Sequence, residues 1–141
     1  GVLSRGGKAI ELSNPHSPTR EDEKERLKAA GGAVVWFGTW RVNGVLAVSR
    51  SIGDNNLKHC VIADPEITRF KLGPEDEFLL IATDGLWDVV KLDESITLVK
   101  EIERSKGRAA VPSELCEEAL RRGSKDNVSI IVVFLCNNQT S

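Results

Sequence analysis

Two short stretches constrain the fold of this 141-residue chain more than any others. The first, residues 78–88, begins as an unbroken apolar run, typical of a strand buried on both faces, and stops at Asp84-Gly85. The second begins with the polar, turn-like residues 123–127 and continues as an apolar, β-branched strand over 128–135. If the two strands are antiparallel neighbours, Asp84 and Asp126 meet at one edge of the sheet. Two converging carboxylates on rigid elements predict a site for a hard cation.

Composition and charge narrow the classes of function. The chain is 40% hydrophobic and 28% charged, which predicts one domain, residues 1–141, with a real core. Its net charge of −2 provides neither a basic surface for nucleic acid nor a polybasic segment for an anionic membrane. The longest apolar runs are far shorter than the roughly 20 residues that a membrane helix needs. We therefore expect partners other than nucleic acid or membrane.

The cysteines and histidines do not form a recognisable metal or disulfide pattern. Cys60, Cys116 and Cys136 are widely spaced and include no Cys-x-x-Cys pair. This pattern is typical of a reducing compartment, so we predict an intracellular location, in the cytoplasm or the nucleus. The only histidines, His16 and His59, lie in no nucleophile or metal-ligand motif.

The remaining sequence predicts strands early in the chain and helices late. Strands grouped before the inserted helices favour an α+β fold over alternating βαβ units. In the second half, Ile96, Val99, Leu115 and Ala119 are the predicted inward positions of two helices. Periodicity and turn residues predict a hairpin over 2–4 and 8–12, a helix over 20–30 capped by Thr19, strands over 33–36, 41–48 and 65–70, and helices over 93–104 and 113–122.

Five short sequence motifs occur in a recognisable order along the chain. They are Ala-Ala-Gly-Gly at 29–32, Arg-Val-Asn-Gly-Val-Leu-Ala-Val-Ser-Arg-Ser-Ile-Gly-Asp at 41–54, Ala-Asp-Pro-Glu at 63–66, Ala-Thr-Asp-Gly-Leu-Trp-Asp at 82–88 and Ser-Lys-Asp-Asn-Val-Ser at 124–129. They are distributed from residue 29 to residue 129. The set resembles the metal-dependent serine/threonine protein phosphatases of type 2C.

The resemblance implies a fold, a reaction and a set of ligands. The fold is an antiparallel β-sandwich flanked by helices, of which this chain is the carboxyl-terminal part, a single partial catalytic domain. The reaction is hydrolysis of phosphoserine and phosphothreonine in phosphoprotein substrates by a water that two Mn²⁺ or Mg²⁺ ions activate. Asp84 and Asp126 are similar to the family's metal ligands, and Asp54 is a candidate ligand of a third, more weakly bound ion.

The differences from the family matter as much as the matches. The family's Asp-Gly-His-Gly-Gly element and its early phosphate-binding arginine have no counterpart here. We therefore expect little catalysis from this chain alone. The alternative is a truncated, phosphatase-like binding module that acts through its helices or flap. A partial sandwich would expose an apolar sheet face and open edges, which predicts self-association.

Each candidate residue also has a plainer interpretation. Trp36 and Trp40 lie where the family has a mobile flap that helps to select substrates and, in a plant subgroup, partner proteins. An ordinary hairpin with packed aromatic side chains is the alternative. Asp84 before glycine is typical of a turn or helix cap, and Asp126-Asn127 is a common turn pair.

Overall fold

The fold, taken from a computed structural model, is described for residues 1–135, and it confirms the α+β class. Cys136 lies outside the described residues. Two compact units are present, one formed by Gly1–Ser13 with the described residues from Thr68 onward and the other by Asn14–Ile67. In order, the elements are β1 (Val2–Arg5), β2 (Lys8–Glu11), α1 (Glu21–Ala29), β3 (Val34–Phe37), β4 (Thr39–Val42), β5 (Asp76–Ala82), α2 (Asp84–Trp87), α3 (Leu92–Lys106), α4 (Val111–Arg121) and β6 (Ile130–Phe134), with short 3₁₀ turns at Asn55–Leu57 and Arg108–Ala110.

The first unit is an antiparallel sheet of four strands in the order β2-β1-β5-β6. The pairing of β5 with β6 is the one that the sequence predicts. Its register runs from Phe78 opposite Phe134 to Ala82 opposite Ile130. The predicted hairpin at the start of the chain is also present, because β1 pairs with β2 around Gly6 and Gly7, both at positive φ.

The core of this unit lies between the sheet and the helices α3 and α4. Phe78 and Leu80 of β5 are almost completely buried and belong to one apolar cluster with the helices. The four predicted inward positions of the helices are confirmed, since each is at most 1% exposed; they are Ile96, Val99, Leu115 and Ala119. Burial of each of the three larger side chains, those of Ile96, Val99 and Leu115, stabilises the helix layer on the sheet by roughly 1.5–3 kcal/mol.

The prediction that β5 is buried on both faces is wrong. Ile81 is 49% exposed, and its neighbours on β6, Ile131 and Val133, are 60% and 43% exposed. The reason is that, among the described residues, the helices cover only the opposite face of this sheet, on which Phe78 and Leu80 lie. An apolar sequence run therefore indicated a strand correctly but did not determine how many layers cover it.

The second unit combines α1 with the hairpin β3–β4. Its core contains Leu27 of α1, Val42 of β4, and Cys60 with its neighbours. The predicted strand over 41–48 ends early, at Val42, because Asn43 and Gly44 adopt positive φ angles of 51° and 74°. Asn-Gly strongly favours a tight turn, and here it ends the strand despite the apolar residues that follow it.

Two other predicted elements are wrong or shifted. Residues 65–70 form no strand: Pro65 cannot donate to a ladder, and within residues 1–135 no strand pairs with this segment. Helix α1 begins at Glu21, and Thr19 does not cap it: the residue at the N-cap is Arg20, with no side-chain capping bond, and the Thr19 hydroxyl lies 2.7 Å from Ser17 Oγ.

Among residues 1–135, no helix has both the length and the apolar character to cross a bilayer.

A buried carboxylate organises the second unit. Glu23 of α1 is only 1% exposed and accepts hydrogen bonds from Arg50 Nη2 at 2.6 Å, Arg26 Nη2 at 2.7 Å and Ser49 Oγ at 2.5 Å. These donors, of which Arg50 has the largest effect, hold the pKa of Glu23 well below its ordinary value, although burial alone would raise it. Arg26 also donates to the Cys60 carbonyl at 2.7 Å, so the cluster joins α1 to two loops.

We predict that Glu23→Gln lowers the free energy of unfolding by about 3 kcal/mol at pH 7, because it removes the charge that Arg26 and Arg50 share. A folded-state pKa below the unfolded-state value means that the stabilisation is complete above the unfolded-state pKa of about 4.3 and declines as pH falls below it. Urea unfolding at pH 7 and pH 3 measures the effect. The exposed Glu25→Gln on the same helix is the control, and an equal loss at both pH values would contradict the prediction.

Candidate metal centre

The two predicted metal ligands lie at the same end of the β5–β6 pair. Ala82 is opposite Ile130 in the last registered pair of the ladder. Asp84 follows this pair on the β5 side, and Asp126 precedes it on the β6 side, as the sequence predicts. Both aspartates are exposed, so their carboxylates are accessible from solvent.

A single helical turn fixes the position of Asp84. Thr83 is extended and precedes α2, whose first residue is Asp84, so the predicted turn is a short helix. Leu86 anchors this helix in the core with no exposed surface, and Trp87 Nε1 donates to the Ala82 carbonyl at 2.9 Å. The first residue of α2 is therefore held against the end of the strand from which it emerges.

The loop of Asp126 begins at a well-formed helix end. After α4, Gly123 takes a φ of +88°, and its amide donates to the Leu120 carbonyl at 2.9 Å. The amide of Ser124 donates to the Ala119 carbonyl at 3.0 Å. These are the two hydrogen bonds of a Schellman motif, which favours glycine at the left-handed position. The chain consequently turns from α4 into residues 124–127 along a defined path.

Arg122 ties the same helix end to α3. Its Nη2 donates to Glu94 Oε1 at 2.7 Å, and its Nη1 donates to the Val89 carbonyl at 3.3 Å. The guanidinium of Arg122 holds the pKa of Glu94 below its usual range. This contact fixes the point at which the loop of Asp126 departs from the helix layer.

Hydrogen bonds join the two aspartate-bearing loops directly. Thr83 Oγ1 donates to the Asn127 carbonyl at 3.0 Å and accepts from the Ser129 amide at 3.1 Å. In the opposite direction, Ser124 Oγ donates to the Gly85 carbonyl at 2.7 Å. Sequence reasoning missed both hydroxyl groups, because serine and threonine are so frequent at turns that their presence beside an aspartate is not a signal.

Gly85 permits the closest approach between these loops. A Cβ at this position would lie 2.4 Å from the Asn127 carbonyl oxygen and 3.0 Å from its carbon. Both of these atoms belong to the main chain, which cannot rotate away as a side chain can. The two loops thus touch at Gly85. We call the space beside its Cα the cradle, and any side chain at position 85 would fill it.

This arrangement fits a divalent cation. Carboxylate oxygens are the donors that Mg²⁺ and Mn²⁺ prefer, and Mg²⁺ is often held by one or two carboxylates with waters and phosphate oxygens completing its coordination. Asp84 and Asp126 would supply two such ligands. In the chain up to residue 135, no group of three or more His, Cys, Asp or Glu side chains has the geometry of a metal site.

Asp54, the third candidate, belongs to the second unit. It takes the left-handed conformation with a φ of 40°, directly before the 3₁₀ turn Asn55–Leu57. Its carboxylate accepts a hydrogen bond of 2.5 Å from Ser51 Oγ, so a local contact orients it. Asp54 is exposed, and its role as a ligand stays a prediction.

Trp36 and Trp40 form a directly opposed pair in the β3–β4 hairpin. Their ring centroids are 5.5 Å apart in an edge-to-face arrangement, a favourable geometry for aromatic pairs. The rings remain 64% and 45% exposed, and Phe37 at the hairpin tip is 73% exposed. The hairpin therefore combines aromatic packing with a large accessible apolar surface.

Comparison with known proteins identifies the family to which these features belong. The sequence model described as protein phosphatase 2C matches residues 1–128. The chain is a member of the protein phosphatase 2C family. Residues 1–128 include both aspartates of the candidate metal centre and the hairpin with its tryptophans, so the match extends over the site as well as the fold.

Individual relatives agree with this assignment. The chain is 52% identical over 132 residues to probable protein phosphatase 2C 69 of Arabidopsis thaliana, covering 94% of this chain and 36% of the relative. It is similarly 51% identical to probable protein phosphatase 2C 52 of Oryza sativa subsp. japonica, covering 94% of this chain and 26% of the relative. The chain thus spans well under half the length of these relatives.

Solved structures show the same fold. A phosphatase from a pathogenic strain of Toxoplasma gondii superposes with a TM-score of 0.86 at 34% identity, over 96% of this chain and 45% of that one. A sex determining protein of C. elegans superposes with a TM-score of 0.90 at 31% identity, over 94% of this chain and 34% of that one.

We predict that Gly85→Ala separates the two loops of this phosphatase-family site. The added methyl would meet the Asn127 carbonyl, so the main chain must move, at a cost of about 1–3 kcal/mol in the free energy of unfolding. Urea unfolding and a Mn²⁺ titration measure stability and metal affinity, and both should fall. Gly73→Ala is the matched control, because its Cβ would meet no atom within 4 Å. Equal behaviour of the two variants would contradict the cradle.

Proposed function

We propose that this chain provides metal-binding aspartates of a phosphatase that hydrolyses phosphoserine and phosphothreonine in proteins. Membership of the protein phosphatase 2C family supports the reaction class. The observation that carries the proposal is the pair of exposed carboxylates, Asp84 and Asp126, on two loops that touch at the end of one antiparallel strand pair. The substrates would be phosphoproteins, and an intracellular location, in the cytoplasm or the nucleus, stays a prediction.

The chemistry requires hard cations beside these carboxylates. Two Mn²⁺ or Mg²⁺ ions, when bound, supply an activated water, orient the phosphate and neutralise charge in the transition state. Asp84 and Asp126 bind and orient the cations, with Asp54 as the candidate ligand of a third, weaker ion. The identity and number of the ions are part of the proposal.

The rigidity of the site supports this role. Asp84 begins a helical turn anchored by Leu86 in the core, and the loop of Asp126 leaves a helix end fixed by Arg122. Ligands held by packed elements retain the spacing that a cation requires and lose little conformational freedom when it binds.

A second candidate function is a non-catalytic binding module. The exposed aromatic hairpin favours it, because Trp36, Phe37 and Trp40 present a surface of the kind that is enriched in protein interfaces. In the phosphatase interpretation the same hairpin would act as a flap that contacts the protein substrate. The two candidates therefore differ in the role of the aspartates, and metal binding separates them.

We expect Mn²⁺ to bind the 141-residue chain and binding to be lost when Asp84→Asn and Asp126→Asn are combined, because the variant removes both anionic ligands while preserving side-chain shape. Isothermal titration calorimetry measures the binding. Asp93→Asn with Asp88→Asn, which removes two exposed carboxylates of the same unit, is the matched control for net charge. Binding that survives in the first variant would contradict the proposed ligands.

Phosphopeptide hydrolysis in the same samples distinguishes the two functions further. The sequence contains no Asp-Gly-His-Gly-Gly word, so we expect the chain alone to turn over phosphopeptide poorly even when it binds Mn²⁺. Rapid Mn²⁺-dependent turnover would contradict that expectation and would show that the chain itself holds a complete catalytic site. Absence of both binding and turnover would favour the binding module.

We further propose that the chain associates with itself through the β5–β6 sheet face. Ile81, Ile131 and Val133 are exposed there, and because Ile81 lies opposite Ile131 in the ladder, they form an apolar patch of the kind that marks interaction sites. Light scattering should give a mass above 15.4 kDa that rises with concentration. Ile131→Lys should reduce association, whereas Lys8→Ala on the opposite edge strand should not. A monomer at every concentration would refute the proposal.

A further inference from the structure

The hydrogen bonds between the two aspartate-bearing loops form a reciprocal pair. Thr83 lies directly before Asp84 and donates to the Asn127 carbonyl at 3.0 Å. Ser124, on the other loop, donates to the Gly85 carbonyl at 2.7 Å. Each loop thus contributes one hydroxyl donor and one main-chain acceptor, and the acceptors belong to Asn127 and Gly85, the two residues that meet at the close contact between the loops. We call Thr83 and Ser124 the hydroxyl clamp.

The position of the Thr83 hydroxyl is determined by more than one bond. Its oxygen accepts from the Ser129 amide at 3.1 Å while its proton is directed to the Asn127 carbonyl. The Thr83 amide also donates to the Ser129 carbonyl at 3.1 Å. Since Thr83 thus bonds to residues on both sides of Val128, its hydroxyl fixes the path by which the loop of Asp126 enters β6.

A hydroxyl clamp of this kind controls distance between carboxylates more directly than it controls folding. The core of the unit is formed by apolar side chains of the sheet and helices, and neither hydroxyl belongs to it. Loss of the clamp would leave that core intact while allowing the two loops to move apart. Groups that orient metal ligands without touching the metal commonly change metal affinity in this way.

We propose that Thr83 and Ser124 are positioning residues that set the spacing of the Asp84 and Asp126 carboxylates for cation binding. This inference rests on the proposed metal-dependent function. The clamp contacts neither the cation nor the substrate; it acts through the two aspartates.

The test compares Thr83→Val with Thr83→Ser in the 141-residue chain. Valine keeps the shape of threonine but removes both hydrogen bonds of the hydroxyl, whereas serine keeps them. Thr83→Val should weaken Mn²⁺ binding about three- to tenfold, because a hydrogen bond in contact with solvent has a modest net free energy. Thr83→Ser should bind within about twofold of the original chain.

Ser124→Ala provides an independent variant of the same clamp. It should weaken Mn²⁺ binding to a similar extent, and combined with Thr83→Val it should weaken binding by less than the product of the two single effects. Such non-additivity is expected of residues that act as one unit. Fully multiplicative effects would overturn the reciprocal clamp.

Amide hydrogen exchange of Ser129 gives a readout that does not depend on the metal. Its rate should rise in Thr83→Val and not in Thr97→Val, the control, whose hydroxyl donates to the Asp93 carbonyl within α3 at 3.4 Å. Faster exchange with unchanged Mn²⁺ affinity would show a merely structural role and overturn the proposal.

The outcomes also separate this inference from the proposed function. If the original chain binds Mn²⁺ and Thr83→Val binds it equally well, only the clamp is overturned. If the original chain binds no Mn²⁺, the metal centre fails and the positioning role fails with it. Weaker binding in Thr83→Val that Thr83→Ser restores would support both.

Discussion

The antiparallel ladder between β5 and β6 is the interaction on which the candidate site depends. These strands are separated in sequence by the helices α2, α3 and α4, yet their register brings Ala82 opposite Ile130. The end of one strand and the start of the other are thereby fixed at one edge. A slip of one residue would turn every side chain of β6 to the other face of the sheet and remove the helix layer's partner surface. Apolar packing of the helices on one face of the sheet therefore fixes the strand register, and the register places Asp84 and Asp126 at the same end of the strand pair.

Much of this arrangement is predictable from sequence because it follows from strong periodic signals. The apolar runs, the Asp-Gly break and the helical spacing of Ile96, Val99, Leu115 and Ala119 each act locally, and the paired strands and buried helix positions of the structure follow them. The placement of both aspartates needed only one further assumption, that the two strands are antiparallel neighbours. Their role as metal ligands, inferred from the convergence of two carboxylates and from the resemblance to a family, stays a prediction.

The predictions that were wrong have a common physical origin. Each depended on which other parts of the folded chain contact a residue, and the local sequence does not contain that information. Ile81 is apolar, but the composition of β5 contains no information on whether a second layer covers it. Residues 65–70 have strand-like composition but no ladder partner among the residues that the structure describes. Charge alone is an equally poor guide to burial: Glu23 lies in a run of charged residues, yet its carboxylate is buried and hydrogen-bonded to Arg26 and Arg50. Burial and pairing at these positions are tertiary properties.

The contact at Asn127 has a consequence for which substitutions such a site can accept during evolution. Both the Thr83 hydroxyl and the space left by Gly85 meet the main-chain carbonyl of Asn127, an atom that every amino acid possesses. Substitution at 127 therefore retains the acceptor, whereas substitution at 85 introduces a clash with it. With respect to this contact, the two positions that face each other thus differ greatly in the substitutions that they tolerate.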